Sequence, residues 1–236
     1  MTSSTEPHSH HSVVPDPRVR AVLDRLHAAA EAEMEAFTQD PRPDPPPEPG
    51  PFNAEGAAEF FADKYISLER EQGNLLYLLA RSLGARRAAE FGTSFGVSTI
   101  YLAAAIRENG GGVVIGSEIQ PSKAAVARAN LEEAGLSEFA EIRVGDARET
   151  LADPGGPLDL VLIDGFPNLN LTMLQILAPH VRVGGMVMAD NVGSFPFEMQ
   201  HYVAWAQDPA NGFASATLPL RGGTELSLRV APPSAD

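Results

Sequence analysis

The stretch that decides the fold is Glu90-Phe91-Gly92-Thr93-Ser94-Phe95-Gly96-Val97-Ser98-Thr99. The apolar residues at its start predict a strand over 87–91, and the residues after Gly96 predict a helix over 97–108. Glycine in the connecting turn lets the backbone bend sharply and lets a ligand approach without meeting a Cβ atom. The stretch therefore predicts a strand, a glycine turn and a helix, with room for a ligand at the turn.

The same alternation of strand and helix patterns continues on both sides of this unit. Repeated βα units of this length predict an α/β fold, Rossmann-like and doubly wound, with a mostly parallel sheet covered on both faces. Right-handed crossovers place the carboxyl ends of the parallel strands along one edge, where ligands bind. The other predicted elements are helices at 68–83, 121–134, 147–152, 169–180 and 196–206, and strands at 112–117, 140–144, 158–163, 185–189, 213–219 and 223–230.

The N-terminal residues 1–52 are predicted to form an extension, and residues 53–236 the main domain. A helix over 16–37 is expected, because Pro17 suits the first turn after an Asp16 cap and apolar residues recur at helical spacing. Its polar face suggests that it docks on the body or on a partner, for example in a homodimer. A proline-rich spacer follows at 41–51. The residues before the helix are interpreted as a flexible, solvated tail rather than a metal site, although they include His8, His10 and His11.

Composition excludes several classes of function. The 236 residues include 17 basic and 31 acidic ones, a formal net charge of −14, and such a field repels phosphate backbones, so nucleic acid is not an expected partner. The chain has no cysteine, which excludes disulfides, thiolate metal sites and a cysteine nucleophile. No apolar run is long enough to span a membrane, and the N-terminus lacks a secretory pattern. We therefore expect a cytoplasmic protein with a small-molecule partner.

Acidic residues recur where predicted strands end. Glu118 follows the glycine turn by about 20 residues and can accept hydrogen bonds from both hydroxyls of a ribose. Asp164 ends a hydrophobic strand, which is costly unless the carboxylate faces a cleft or is paired. The glycine spacing is G-x-x-x-G, not the G-x-G-x-x-G that cradles a pyrophosphate, and the Glu90 carboxylate opposes a pyrophosphate and suits a cationic group. The pattern favours a nucleoside with a cationic end.

The segment from Glu90 to Thr99 resembles the first motif of class I S-adenosylmethionine-dependent methyltransferases, and most closely that of the catechol and caffeoyl-CoA-type (family 3) O-methyltransferases. The resemblance extends over about residues 60–230. It implies a seven-stranded sheet whose final strand is antiparallel, after the Gly222-Gly223 turn. It also implies that the segment around Asp146 lies beside an adenine, although Asp146 could equally cap the next helix. The implied cofactor-binding residues are Glu90, Gly92, Thr93, Gly96, Ser98, Glu118, Asp146, Ala147 and Asp164.

A divalent-metal site is predicted from Asp164, Asp190 and Asn191, which follow neighbouring strands. Carboxylate and amide oxygens are hard ligands that suit Mg²⁺, Ca²⁺ or Mn²⁺, and in the resembling O-methyltransferases these positions hold such an ion, with Mg²⁺ expected. The family commonly has a lysine base three residues after the fourth-strand Asp, but Pro167 stands there. We therefore assign no catalytic base. The unproven candidates are Lys64, His201 and Tyr202.

Methylation of a small, phenolic or catechol-like molecule at oxygen is the leading functional hypothesis. A metal-independent O- or N-methyltransferase is the second, and Pro167 is its main support. A nicotinamide-dependent oxidoreductase fits less well, because the glycine spacing differs and a Tyr-x-x-x-Lys pair is missing. The fourth hypothesis is a non-catalytic module that binds a nucleoside. Aromatic residues of the C-terminal region either wall an acceptor pocket or belong to the core, and helical spacing favours the core: Phe195, Phe197, Tyr202 and Trp205.

Overall fold

A single sheet organises the part of the chain that the computed structural model describes, residues 12–39, 60–220 and 222–232. The sheet confirms the predicted class: its order is β3-β2-β1-β4-β5-β7-β6, the first five strands pair in parallel, and β7 runs antiparallel to both β5 and β6. Its seven strands are β1 (Arg87–Phe91), β2 (Val113–Glu118), β3 (Ala140–Val144), β4 (Leu158–Ile163), β5 (Val181–Ala189), β6 (Phe213–Leu218) and β7 (Thr224–Arg229).

The helices and strands lie within two residues of the bounds that the sequence predicts, apart from one helix and one strand. The helix expected at 169–180 is α-helical only over 170–177, because Pro167 and Pro179 favour short 3₁₀ turns at its two ends. Strand β5 begins four residues earlier than predicted, because Gly184 and Gly185 interrupt the apolar pattern at a shift in its pairing with β4. None of the described helices is long and apolar enough to cross a bilayer. They are α1 (Pro17–Gln39), α2 (Arg70–Ser82), α3 (Val97–Glu108), α4 (Pro121–Ala134), α5 (Ala147–Thr150), α6 (Asn170–Leu177) and α7 (Pro196–Gln207).

The N-terminal helix α1 packs on the body of the protein, against α3 and α4. Asp16 caps it by accepting a hydrogen bond from the backbone N–H of Arg18 at 2.8 Å, as the sequence predicts. Its apolar face enters the same hydrophobic cluster as β1 and α3 through Val19, Val22, Leu23 and Leu26. The three histidines of the tail, the proline-rich spacer and residue 53 lie outside the described residues, so the predicted domain boundary stays a prediction.

A buried pair joins α1 to the centre of the protein. The His27 imidazole lies 3.1 Å from the Tyr101 hydroxyl, and both side chains are buried. On its other side the Tyr101 ring contacts α2 at Gly73, where an added Cβ would lie 2.3 Å from the ring. Glycine is therefore required at position 73 for α2 and α3 to approach this closely. The Tyr101 side chain of α3 therefore contacts both α1 and α2.

We predict that His27 makes the stability of the protein sensitive to acid. Burial, followed by the nearby Arg70 charge, lowers the pKa of His27 from 6.5 to about 4. The unfolded chain accepts a proton near pH 6.5 and the folded chain does not, so this stability is complete above pH 6.5 and is lost as the pH falls toward 4. The loss is about 1.4 kcal/mol per pH unit in that window.

The measurement is the free energy of unfolding by denaturant between pH 7.5 and pH 4. The His27→Leu protein should lose stability less steeply than the parent below pH 6.5, whereas His201→Leu, which changes an exposed histidine of α7, should keep the parent's slope. Identical slopes for the parent and His27→Leu would contradict the assignment.

Candidate functional site

The glycine turn after β1 brings the ends of β1 and β4 into close contact. Gly92 has a φ of +97°, and a Cβ added to it would lie 2.4 Å from the carbonyl oxygen of Asp164. Gly96 also has a left-handed backbone, with a φ of +88°, and begins α3. Both glycines of the G-x-x-x-G pattern are therefore required by the backbone itself. They leave the carboxyl edge of the sheet open between β1, β2 and β4.

Glu90 lies beneath this turn and is fully buried. Its Oε2 accepts hydrogen bonds from the hydroxyls of Thr93 at 2.9 Å and Thr99 at 2.5 Å. Gly116 on β2 leaves room for this group, because a Cβ there would lie 2.3 Å from Thr93 Oγ1. Burial raises the pKa of Glu90, although hydrogen bonds from neighbouring hydroxyls oppose the shift. The other oxygen, Oε1, has no hydrogen-bond partner among the described residues.

Glu118 at the end of β2 fixes the shape of the turn. Its Oε2 accepts a hydrogen bond from the backbone N–H of Ser94 at 2.7 Å, and its Oε1 accepts one from the N–H of Gln120 at 2.9 Å. Ser94 has a φ of +48°, a strained conformation for a residue with a side chain. Each oxygen of a carboxylate can accept two hydrogen bonds, so both oxygens of Glu118 can also accept from a ligand.

A cavity lies over this edge and contains five of the nine predicted cofactor residues: Gly92, Glu118, Asp146, Ala147 and Asp164. The other four, which are Glu90, Thr93, Gly96 and Ser98, do not line it; they are buried around the turn and shape it from below. Asp146 also caps α5, because its side chain accepts a hydrogen bond from the N–H of Arg148 at 2.9 Å. The two interpretations of Asp146, as a cap and as a cavity residue, are therefore compatible.

A pair of aspartates stands at the tips of β4 and β5. Burial raises the pKa of Asp164 well above its usual range, and the nearby charges of Asp190 and Glu90 raise it further. Asp190 is buried; its Oδ1 accepts a hydrogen bond from the Gln72 amide, and its Oδ2 accepts one from Asn191 Nδ2 at 3.1 Å. The backbone of Asn191 is left-handed, with a φ of +63°. Two acids and one amide therefore meet where the sequence predicts a metal site.

This cluster is smaller than an all-carboxylate metal cage. The described part of the chain holds no group of three or more His, Cys, Asp or Glu residues arranged to bind a metal ion. Any cation at Asp164 and Asp190 would therefore need amide oxygens and oxygens from outside the protein to complete its shell.

None of the candidate bases lines the cavity. Lys64 pairs with Asp63, at 2.9 Å between Nζ and Oδ1, and His201 is exposed on α7. Tyr202 is completely buried, and burial together with Glu225 raises the pKa of its hydroxyl. Pro167 is buried at the start of a 3₁₀ turn. The described residues therefore present no lysine at the position where the resembling family has its base.

Of the two interpretations of the four C-terminal aromatic residues, the favoured one, core packing, fits three of them, and none of the four lines the cavity. Tyr202 belongs to the core, and Phe195 and Trp205 pack against that core. Phe197 is 72% exposed on the outer side of α7. All four rings therefore lie outside the cavity at the carboxyl edge. Apolar residues from other segments line the cavity instead: Phe61, Ile66, Phe91, Ile119, Phe166 and Leu169.

Among the polar residues that sequence reasoning missed are Lys123, which lines the cavity, and Gln72, which contacts the acid cluster. Lys123 of α4 is buried in the cavity wall, with its Nζ 3.3 Å from Ser94 Oγ and 5.0 Å from the centre of the Phe95 ring, and burial lowers its pKa. The side-chain amide of Gln72, on α2, donates a hydrogen bond to the Asp190 carboxylate. Lys123 carries no distinctive signal in the sequence. Gln72 does, because it is a polar residue on the helix face that also contains Leu76.

Comparison with known proteins matches residues 89–192 to a family model described as a methyltransferase domain. The catechol O-methyltransferase of Mycobacterium tuberculosis is 41% identical over 128 residues, which is 54% of this chain and 57% of that protein. The catechol O-methyltransferase of Niastella koreensis is 36% identical over 131 residues, 54% of this chain and 58% of that protein. The matches thus span just over half the length of these curated relatives.

Solved structures extend the similarity to most of the fold. The cofactor-bound Rv0187 protein from MTB is 30% identical, with a TM-score of 0.66, over 83% of this chain and 95% of that one. The O-methyltransferase from Bacillus cereus in complex with SAH shares the fold, with a TM-score of 0.65 and 23% identity over 86% of this chain and 99% of that one. Together with the strand order and the glycine turn, these findings confirm the predicted family. The chain belongs to the S-adenosylmethionine-dependent methyltransferases.

Proposed function

We propose that this protein transfers the methyl group of S-adenosylmethionine to an oxygen atom of a small molecule, with the help of a divalent cation. One observation carries the proposal: Glu118 and Asp164 line the same cavity, with Asp190 beside Asp164 and the glycine turn between the two acids. A carboxylate suited to a ribose and one member of an acid pair suited to a cation thus line the same cavity. The names of the relatives, which include catechol O-methyltransferases, support the same chemistry.

The cofactor is proposed to lie across the carboxyl edge of the sheet. Glu118 would accept hydrogen bonds from the ribose hydroxyls, since both its oxygens are already oriented by backbone N–H groups. Asp146 and Ala147 would flank the adenine. The amino-acid end would lie at the turn, near Asp164, where the negative charges of the edge attract its ammonium group and the cationic sulfonium. Of the remaining proposed cofactor residues, Gly92 lines the cavity at the turn, and four support the turn from below: Glu90, Thr93, Gly96 and Ser98.

Asp164, Asp190 and Asn191 fit a divalent cation such as Mg²⁺ in charge and in donor type. Burial raises the pKa of Asp164, and repulsion from Asp190 raises it further; a bound dication would remove that repulsion. Their oxygens are hard donors, and Asn191 can present its amide oxygen by rotating about its terminal bond. A dication bound there would lower the pKa of a hydroxyl that coordinates it.

The acceptor is proposed to be a phenol with a neighbouring oxygen. In the transfer, the acceptor oxygen attacks the methyl carbon, the bond from that carbon to sulfur breaks, S-adenosylhomocysteine leaves, and the acceptor's proton passes to solvent. Pro167 offers no proton acceptor, so a phenol, whose pKa is about 10, suits this site better than an aliphatic alcohol. The apolar lining residues Phe61, Phe166 and Leu169 would pack against a ring.

A metal-independent O- or N-methyltransferase is the second candidate. Two observations favour it: the Asn191 amide donates a hydrogen bond to Asp190, and the described residues contain no group of three or more His, Cys, Asp or Glu arranged to hold a metal ion. Membership of the family leaves little support for a nicotinamide-dependent enzyme. Measurable methyl transfer would distinguish either methyltransferase from a non-catalytic nucleoside-binding module.

We predict that Glu118→Ala weakens binding of S-adenosylhomocysteine at least tenfold, because each hydrogen bond to a charged group contributes about 1.5–3 kcal/mol. Isothermal titration calorimetry measures the affinity, and NAD should give no heat with the parent protein. The matched control is Glu141→Ala on β3, an exposed glutamate outside the cavity, which should bind like the parent. Equal affinities for Glu118→Ala and the parent, at comparable thermal stability, would refute the cofactor placement.

We also predict that turnover depends on the acid cluster and on a cation. Asp190→Ala and treatment with a chelator should each reduce methylation of a catechol panel by about a hundredfold or more, because each removes positioning and acidification of the acceptor. Transfer of label from methyl-labelled cofactor measures the rate, and added Mg²⁺ should restore only the chelated parent. Asp153→Ala, an exposed aspartate distant in the chain from the cluster, is the control. Full activity after chelation would reject the metal and favour the second candidate.

A further inference from the structure

We infer that Gln72 is a positioning residue that holds the Asp190 carboxylate in place for the cation. The inference rests on the proposed function and extends it to a residue outside the matched segment 89–192. Gln72 lies on α2 and is 2% exposed, and its Nε2 donates a hydrogen bond to Asp190 Oδ1 across the end of the sheet. A buried polar side chain that reaches a proposed metal ligand from another element is the usual form of outer-shell support.

The orientation of the Gln72 amide is determined by the chain itself. Its Oε1 accepts a hydrogen bond from the backbone N–H of Glu69 at 3.1 Å, as part of the capping box that begins α2. The two ends of the amide cannot exchange without losing this bond, so the NH₂ group must face Asp190. The same Nε2 lies 3.2 Å from Thr224 Oγ1 on β7. Gln72 therefore joins the start of α2 to the tips of β5 and β7.

The position of α2 is itself held by close packing. Gly73, the next residue, is pressed against the Tyr101 ring of α3, where no side chain would fit. Arg70 forms an ion pair with Asp24 of α1 at 2.5 Å. These contacts limit the movement of the backbone that carries Gln72. The Gln72 amide is therefore held by packed helices and not by a loop. A group that orients a carboxylate needs such a fixed position.

The chemistry of an amide suits this role. Both oxygens of Asp190 accept hydrogen bonds from neutral amides, those of Gln72 and Asn191. A neutral donor orients a carboxylate without cancelling its charge, whereas an arginine or lysine would compete with the cation. With a divalent ion bound, the carboxylates of Asp164 and Asp190 would together supply two negative charges that match it. Gln72 would fix the direction of the carboxylate and leave its charge available.

The test uses the full chain and Mn²⁺ as the probe. Gln72→Met keeps the length and volume of the side chain and removes the donor. We expect its dissociation constant for Mn²⁺, measured by electron paramagnetic resonance, to rise about 10–100-fold. Its affinity for S-adenosylhomocysteine, measured by calorimetry, should stay within about twofold of the parent, because Gln72 does not line the cofactor cavity. A purely structural role would not produce this split between the two ligands.

Gln207→Met is the matched control. Gln207 of α7 also donates from Nε2 to a buried carboxylate, that of Glu225 on β7 at 2.9 Å, but Glu225 is not one of the proposed ligands of the cation. Both affinities should equal those of the parent. If Gln72→Met does not fold, Gln72→Leu serves in its place, with the melting temperature recorded for each protein.

Three results would overturn the inference. Unchanged Mn²⁺ affinity in Gln72→Met, with the parent binding Mn²⁺, would overturn it alone and leave the proposed function standing. A parallel loss of both affinities and of melting temperature, in both Gln72 variants, would make the role structural. Failure of the parent to bind Mn²⁺ would overturn the metal part of the proposed function together with this inference.

Discussion

The site depends on the contact between Gly92 and the backbone of Asp164. The carbonyl oxygen of Asp164 occupies the space that a side chain at position 92 would need, and the N–H of Asp164 donates to the carbonyl of Phe91 at 2.9 Å. This contact sets the ends of β1 and β4 side by side at their carboxyl edge. Glu118 from β2 and Asp190 from β5 then stand on opposite sides of the same junction. The rest of the cavity is built around that junction.

The same edge concentrates negative charge, and among the described residues that line the cavity only Lys123 carries a cationic side chain. Glu90, Glu118, Asp164 and Asp190 lie at the ends of the four central strands, and the hydrogen bonds described for them come from hydroxyls, backbone N–H groups and amides. Neutral donors orient these carboxylates and stabilise them only in part, as the raised pKa of Glu90 and of Asp164 indicates. An edge of this kind attracts cationic ligands, and both a sulfonium and a metal ion carry positive charge.

Sequence patterns predicted most of the elements, because the periodicity changes sharply at glycine and at capping residues. They also predicted that Glu118, Asp146 and Asp164 share a cavity, since parallel strands end at one edge. They failed where the outcome depends on packing between distant segments. Phe61 and Ile66 reach the cavity from a segment that precedes the sheet, and no local pattern marks them. Helical spacing favoured the core for the C-terminal aromatic residues, but it could not show that Phe197 is exposed, because spacing gives the face of a helix and not what that face touches.

The docking of α1 has a practical consequence for work on shortened chains. This helix closes one side of the hydrophobic cluster that also contains β1 and α3, and its Leu23 and Leu26 are inaccessible to solvent. A polypeptide that started at residue 60 would expose the partners of those side chains as an apolar patch. Such patches promote self-association. An oligomer found for the truncated polypeptide would then describe the uncovered patch, and the native state of assembly would have to be measured on protein that retains α1.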